Sequence, residues 1–326
     1  MKTASMHALR RLICGMAATL ALAPALAIAQ AYPVKPVRII VNNPAGGPTD
    51  MLARATAEAL QKALKQPFIV DNKAGAGGNV GADALAKSLA DGYTLMISFD
   101  TTLTVNLHIY KSLPFQPGEL RPVFVLASSG LLVGASASTG ITNFPGLVDA
   151  MRRKPLNFAS GGNGSPGHLG IEVFRETGKF GIQHVPYRGN NPAVTAIVAG
   201  EVDAGVLATP GMLPHVKAGK INALAVTSRQ RSRLLPEVPT VGEVGFKELQ
   251  LEVLYVVFAP RQTPDAVLRT LEAALREVLQ QPEFQVRLAN LDFSAEGLTG
   301  AAARQRLDEQ SARYARIAAA GDMHPE

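Results

Sequence analysis

The chain has 326 residues, 18% of them charged, and a formal net charge of +6. Half of that charge comes from Lys2, Arg10 and Arg11 near the start, so the remainder is only mildly basic, and its one basic run, Arg229 to Arg233, lacks the stacking aromatics of a nucleic-acid groove. The one cysteine, Cys14, lies in the leader described next, which excludes disulfides, thiolate catalysis and cysteine-ligated metal from the rest.

Residues 1–31 have a basic start, an apolar centre and small residues at Ala27 and Ala29, or at Ala29 and Ala31. This three-part pattern predicts a secretory signal peptide cut before Gln30 or Tyr32. A retained anchor needs roughly 18 uninterrupted apolar residues, and Pro24 breaks this run. Arg11-Leu12-Ile13 lacks the small residue expected ahead of a lipidated cysteine.

Past the leader, short apolar runs alternate with helical ones. Val37 to Val41, Phe68 to Asn72 and Tyr93 to Phe99 read as buried strands, with Ala-, Leu- and Lys-rich helical segments between them. The same alternation resumes at Leu156 and continues through "IQHVPYR", "VDAGVLA" and "INALAVTS". The pattern predicts parallel βαβ units in two α/β lobes. Near the C-terminus, Thr263 as N-cap and Pro264 at N1 predict the start of an amphipathic helix, with Val267, Leu268, Leu271, Leu275, Val278 and Leu279 as its apolar stripe. Arg304 to Ile317 reads as a last, more polar helix.

Several enzyme signatures come close and fail. "GADALAKS" has Ala86 where a phosphate loop needs its second glycine, and "GAGGNV" ends in Val80 where a dinucleotide fingerprint needs glycine. Ser165 lies in "NGSPG", which lacks the first glycine of a nucleophile elbow. The histidines show no metal-ligand spacing. No cofactor and no metal are expected.

Two loops carry the functional signal. In "VNNPAGGPTD", Gly47 as N-cap, Pro48 at N1 and Asp50 at N3 start a helix at the carboxyl end of a strand. The N–H groups of Gly46 and Gly47 can approach a carboxylate or phosphate there, at the positive end of the helix dipole. The same pattern would also serve merely to begin a helix. "FASGGNGSPGHLG" repeats the design with Ser165 as N-cap and Pro166 at N1, so two helix starts could face each other across a cleft. "FDTTLTVN" offers hydroxyls, and Asp203, at a strand start, must either brace backbone N–H groups or accept from a ligand.

At these residues the chain resembles the tripartite tricarboxylate transporter substrate-binding proteins, or Bug receptors. The resemblance spans "YPVKPVRIIVNNPAGGPTDMLAR", "DNKAGAGGNVGADALAKSLADGYTL", "FASGGNGSPGHLG", "HVPYRGNNPAVTAIVAGEVDAG" and "LPHVKAGKINALAVTS", in that order. It implies a two-lobed type II periplasmic binding fold, each lobe a mixed, mostly parallel sheet flanked by helices, joined by two hinge strands near Val123–Ala135 and Leu251–Pro260. Residues 32–131 with 256–326 would form lobe one, and 132–255 lobe two. The implied protein is a monomeric periplasmic receptor without catalysis of its own. It would close on a small carboxylate and present it to the permease of a tripartite tricarboxylate-type transporter, or dock on a sensor protein instead.

Carried over, the resemblance assigns Ala45, Gly46, Gly47, Thr49 and Asp50 to one carboxylate, with Asn163, Gly164, Ser165 and His168 opposite. Thr101, Thr102 and Asp203 complete the pocket. Asn43 stands where many members of the family have an aromatic residue, which favours a more polar ligand. A hydrolase using Ser165 and His168 is the remaining alternative, and it has no identifiable orienting carboxylate.

Overall fold

The structure, a computed structural model, describes residues 32–320. The expected signal peptide lies outside them. No described helix is long and apolar enough to cross a membrane.

Two mixed sheets organise the chain. The first half of the larger one comes from β1 (Val37–Val41), β2 (Phe68–Asn72), β3 (Thr94–Phe99) and β4 (Leu120–Ser129). The chain then builds the smaller sheet from β5 (Leu132–Ser136), β6 (Leu156–Ser160), β7 (Ile182–Pro186), β8 (Ala204–Leu207) and β9 (Ile221–Val226). It returns to the larger sheet for β10 (Val253–Pro260) and β11 (Ser294–Thr299). The spatial orders are β11-β4-β10-β3-β1-β2 and β7-β6-β8-β5-β9.

The parallel pairs are β1 with β2 and β3, and β6 with β7 and β8, and each is joined through at least one helix, as a parallel crossover requires. The remaining pairs are antiparallel and cluster around the strands that carry the chain between sheets, β4, β5 and β10. All eight residues of β10 are buried between β3 and β4. Its continuous "VLYVVFAP" run has the apolar character of a strand covered on both faces.

Each sheet has its own core. Ile40, Leu85, Met96, Val125, Val256 and Phe258 pack together beside the larger sheet, and Leu132, Val194, Ile197, Met212 and Ile221 beside the smaller. The two crossings between the sheets are tied by one fully buried residue, Thr227. Its N–H donates to Leu131 O at 2.9 Å and its hydroxyl to Leu251 O at 2.7 Å, while its own Oγ1 and carbonyl accept from Leu131 N and Leu251 N at 2.8 and 2.9 Å. β10 pairs into the larger sheet from Val253 onward, ahead of the Val256 boundary expected for lobe one.

Two helix starts fall where the sequence places them. Pro48–Leu64 begins after N-cap Gly47 with proline at N1, and Pro166–Gly178 begins after Ser165, whose Oγ accepts from His168 N at 3.2 Å. The rejected phosphate-loop segment is largely helix, Asn79–Ala86. One start is displaced: Asp265–Gln280 is capped at Pro264, and the buried hydroxyl of Thr263 caps nothing. The last helix is longer than expected, Gly300–Ala320.

Candidate functional site

The first loop, Pro44–Gly47, leaves β1 and enters the helix Pro48–Leu64. Gly46 adopts φ +79°, a left-handed conformation open to glycine at little cost. This lets its N–H turn back to Asp50 Oδ2 at 2.9 Å. The Asp50 side chain is 3% exposed and also accepts from Arg54 Nε and Asn72 Nδ2, both at 2.9 Å. Burial alone would raise its pKa, but the hydrogen bonds from Arg54, Gly46 and Asn72, with the charge of Arg54, hold it below the ordinary carboxylate value. Asp50 is therefore a brace that fixes the loop's shape from behind. The N–H of Gly46 is spent on it, while Gly47 and Thr49, at a helix start whose N–H groups have no intrahelical acceptor, line the cleft.

The second loop, Gly161–Ser165, is braced in the same way by two histidines. Gly162 N donates to Ser160 Oγ at 3.1 Å, and that hydroxyl lies 2.6 Å from His184 Nε2. Gly164 N donates to His168 Nδ1 at 3.2 Å. The two imidazoles stack at 4.1 Å between centroids with 12° between their planes. Below them the fully buried Glu172 pairs with Arg175 at 3.0 Å and lies 3.6 Å from His168 Nε2. Burial, with the neighbouring His184 and Arg175 charges, lowers the His168 pKa to about 3. Burial and Arg175 lower that of His184 to about 4.

Both loops line one cavity of about 280 Å³, near the lower end of the range for small-molecule pockets. Asn43, Ala45, Gly47 and Thr49 face it from the larger sheet, and Gly161 and Ser165 from the smaller. Phe99, Leu131 and Tyr255 form its floor where the sheets join. The Tyr255 hydroxyl contacts Ser129 Oγ at 3.3 Å, and burial pushes its pKa up to about 12, so it remains protonated. A third loop, Tyr187 to Asn191, completes the wall and touches the first: Asn191 Nδ2 donates to Gly46 O at 3.4 Å.

The residues singled out from sequence thus separate by role. Asn43, Ala45, Gly47, Thr49 and Ser165 line the cavity, whereas Gly46, Asp50, Gly164 and His168 support it from behind. Asn163 does not line it either; its carbonyl faces Gly77 on the opposite side. Asn43 spends one amide hydrogen on Asn42 Oδ1 at 2.8 Å, which leaves it less donor capacity for a ligand than its side chain alone suggests.

Thr101 and Thr102 are buried in a helical turn, and Thr102 Oγ1 meets Asn42 Nδ2 and Ser98 Oγ at 3.0 Å. Asp203 lies outside the cleft, in a separate pocket with Asn143 and Arg153, where its carboxylate accepts from Asn157 N at 2.8 Å. It takes the bracing role of the two open to it. The His168 ring is engaged away from the Ser165 hydroxyl: its Nδ1 takes the Gly164 N–H and its Nε2 faces Glu172.

Sequence reasoning left Arg188, Asn190 and Asn191 without roles. The signal was present in "YRGNNPA", a third run from strand through glycine into a helix, Asn190–Ala199, with Gly189 as N-cap.

The description that matches this chain is the tripartite tricarboxylate transporter family receptor, over residues 52–322. The chain belongs to that receptor family. Protein BugT of Bordetella pertussis is 37% identical to this receptor over 256 residues, 77% of this chain and 78% of BugT. A UPF0065 protein of Agrobacterium vitis is 31% identical over 306 residues, covering 92% and 88% of the two chains.

Among solved structures, R. palustris Rpa4515 with adipate superposes with a TM-score of 0.85 at 30% identity, covering 89% of this receptor and 98% of that chain. MatC from Rhodopseudomonas palustris with bound malate gives 0.82 at 27%, covering 88% and 100%. The two-lobed periplasmic binding fold implied by the resemblance is therefore the fold of this chain.

Proposed function

We propose that this receptor works in the periplasm, closing two lobes on a small organic acid and delivering it to the membrane subunits of a tripartite tricarboxylate-type transporter. The observation that carries the reading is the pair of braced glycine loops, one from each sheet, on opposite walls of one cavity. Each opens a helix whose first N–H groups and dipole favour an anion, and apolar residues beneath exclude water from the methylene portion of a ligand.

Lobe one carries the larger sheet and lobe two the smaller, and the Thr227-linked crossings serve as the hinge. Closing would bury the ligand and create a surface that a membrane partner can distinguish from the open form. The adipate and malate held by two structural neighbours support a carboxylate here.

A thermal-shift screen of the leaderless protein against mono-, di- and tricarboxylates tests the binding step. Ligand at about a hundred times its Kd adds roughly 2.7 kcal/mol of stability. No stabilisation by any carboxylate would overturn the reading. Delivery is tested by acid uptake in cells with and without the receptor.

A further inference from the structure

Arg188 is the one charged side chain among the residues lining the cavity, and no aspartate or glutamate lines it. The chain on either side of Arg188 is pinned to the second loop: Tyr187 N donates to Ser160 O at 3.1 Å, and Gly189 N to Gly161 O at 3.2 Å. The backbone from which the guanidinium extends is thus held at a fixed offset from the Ser165 loop. Arg188 is exposed where it lines the cavity. No ion pair to another side chain holds it among the described residues, whereas Arg54, Arg175 and Arg231 are each bound to a carboxylate.

We infer that Arg188 is a specificity-determining residue that takes the second carboxylate of a dicarboxylic acid whose first carboxylate rests on the two glycine loops. The inference depends on the carboxylate-receptor reading above. A guanidinium presents paired N–H donors that match a carboxylate's two oxygens, a fit that a neutral ligand end cannot use. An amino acid would place its ammonium in a cavity with no counter-charge and one like charge, so zwitterions are disfavoured by the same arrangement. At the rim the pair is partly hydrated, which limits its worth to about tenfold in affinity and makes it weaken with salt.

The test is calorimetric titration of the leaderless protein with succinate, glutarate and adipate, each paired with the monocarboxylate of equal carbon number (butyrate, valerate, hexanoate), and with L-glutamate. The wild type should prefer each diacid to its partner by about tenfold or more, with the preference shrinking as salt is raised, and should bind L-glutamate more weakly than glutarate. Arg188→Met should collapse the diacid-to-monoacid ratio, and Arg188→Lys, which keeps the charge without the fork, should retain more of it than methionine does.

Equal thermal unfolding of the three proteins without ligand would show that the change is not a loss of fold. A ratio that survives in Arg188→Met, or a wild type that binds acids without preferring diacids, overturns the role of Arg188 while leaving the receptor reading intact. A wild type that binds none of these acids overturns the role of Arg188, and the receptor reading falls with it only when the wider mono-, di- and tricarboxylate screen is also negative.

Discussion

Gly164 and His168 are joined by a hydrogen bond from the glycine N–H to imidazole Nδ1, 3.2 Å long, inside one of the two glycine loops that line the cavity. The bond requires an unprotonated Nδ1, so the loop's shape depends on a histidine kept neutral by burial. His184, stacked on His168, braces the other end of the same loop through Ser160. A proton on either ring would place a cation against its neighbour and against Arg175.

Acid should therefore loosen this loop. In the folded chain His168 and His184 take up protons only near pH 3 and 4, against an ordinary value of 6.5. Between those limits the unfolded chain binds more protons, so stability rises with pH. The contribution is full above about 6.5 and is lost as the pH falls toward the folded values. His168→Phe keeps the ring but leaves the Gly164 N–H without an acceptor, at a cost of about 1–3 kcal/mol. Urea unfolding from pH 7 to 4 should show that loss at neutral pH and a shallower acid slope than the wild type. An unchanged slope would remove His168 from this account.

Asp100 works in the opposite direction. It is fully buried, and its Oδ1 accepts from Leu254 N at 3.1 Å on the returning hinge strand β10. Its Oδ2 has no hydrogen-bond partner among the described residues. Burial pushes its pKa up to about 7, against the partial offset of the Leu254 hydrogen bond. From about pH 4 to 7 the folded chain keeps a proton that the unfolded chain has released, so stability falls as pH rises through that window. Asp100→Asn preserves the acceptor for Leu254 N and carries no charge. It should unfold at a higher temperature than the wild type at pH 8, with the difference closing below pH 5.

The legible parts of the protein were those set by local chemistry. Gly47-Pro48 and Ser165-Pro166 announce helix starts because N-cap and N1 preferences act within a few residues. The start near Thr263 comes one position later than capping preference predicts, because tertiary packing buries that hydroxyl without a partner. The third wall of the cleft depends on the strand order β7-β6-β8, which sets "YRGNNPA" beside the Ser165 loop. The stack of His168 on His184 depends on the same order. Neither placement is marked in sequence spacing, although the "YRGNNPA" run itself carries the strand-to-helix pattern. Asp203 could be read as ligand or brace until its neighbours in space were known.

The close approach of Asn106 makes Gly164 sensitive to a single methyl group. Its φ is +75°, and an added Cβ would sit 2.3 Å from Asn106 Oδ1 on the opposite side of the cleft. Gly140 has nearly the same conformation, φ +71°, with nothing within 4 Å of such an atom. Gly140→Ala should therefore cost about 1 kcal/mol of stability from backbone strain alone and leave ligand affinity unchanged. Gly164→Ala should show the same strain and, in addition, an affinity loss of about tenfold or more, because closure is obstructed. Calorimetry with a bound acid, alongside thermal unfolding of both variants, separates the two effects. Equal affinities in the two variants would mean that this contact does not limit closure.

Asp203 gives the complementary case, a carboxylate whose loss should weaken the fold and spare the ligand. Its side chain accepts from Asn157 N at 2.8 Å, while its backbone donates to Asn157 O at 3.0 Å and accepts from Ser136 N at 2.9 Å, so it joins the starts of β6 and β8 to the end of β5. It lies outside the cavity between the glycine loops. Asp203→Ala leaves the Asn157 N–H without its acceptor and should destabilise by about 1–3 kcal/mol. Affinity for whichever carboxylate the wild type binds should stay within about twofold, a change under ~0.5 kcal/mol. A loss of binding at full occupancy of the folded state would return Asp203 to the ligand site and require a cleft different from the one described here.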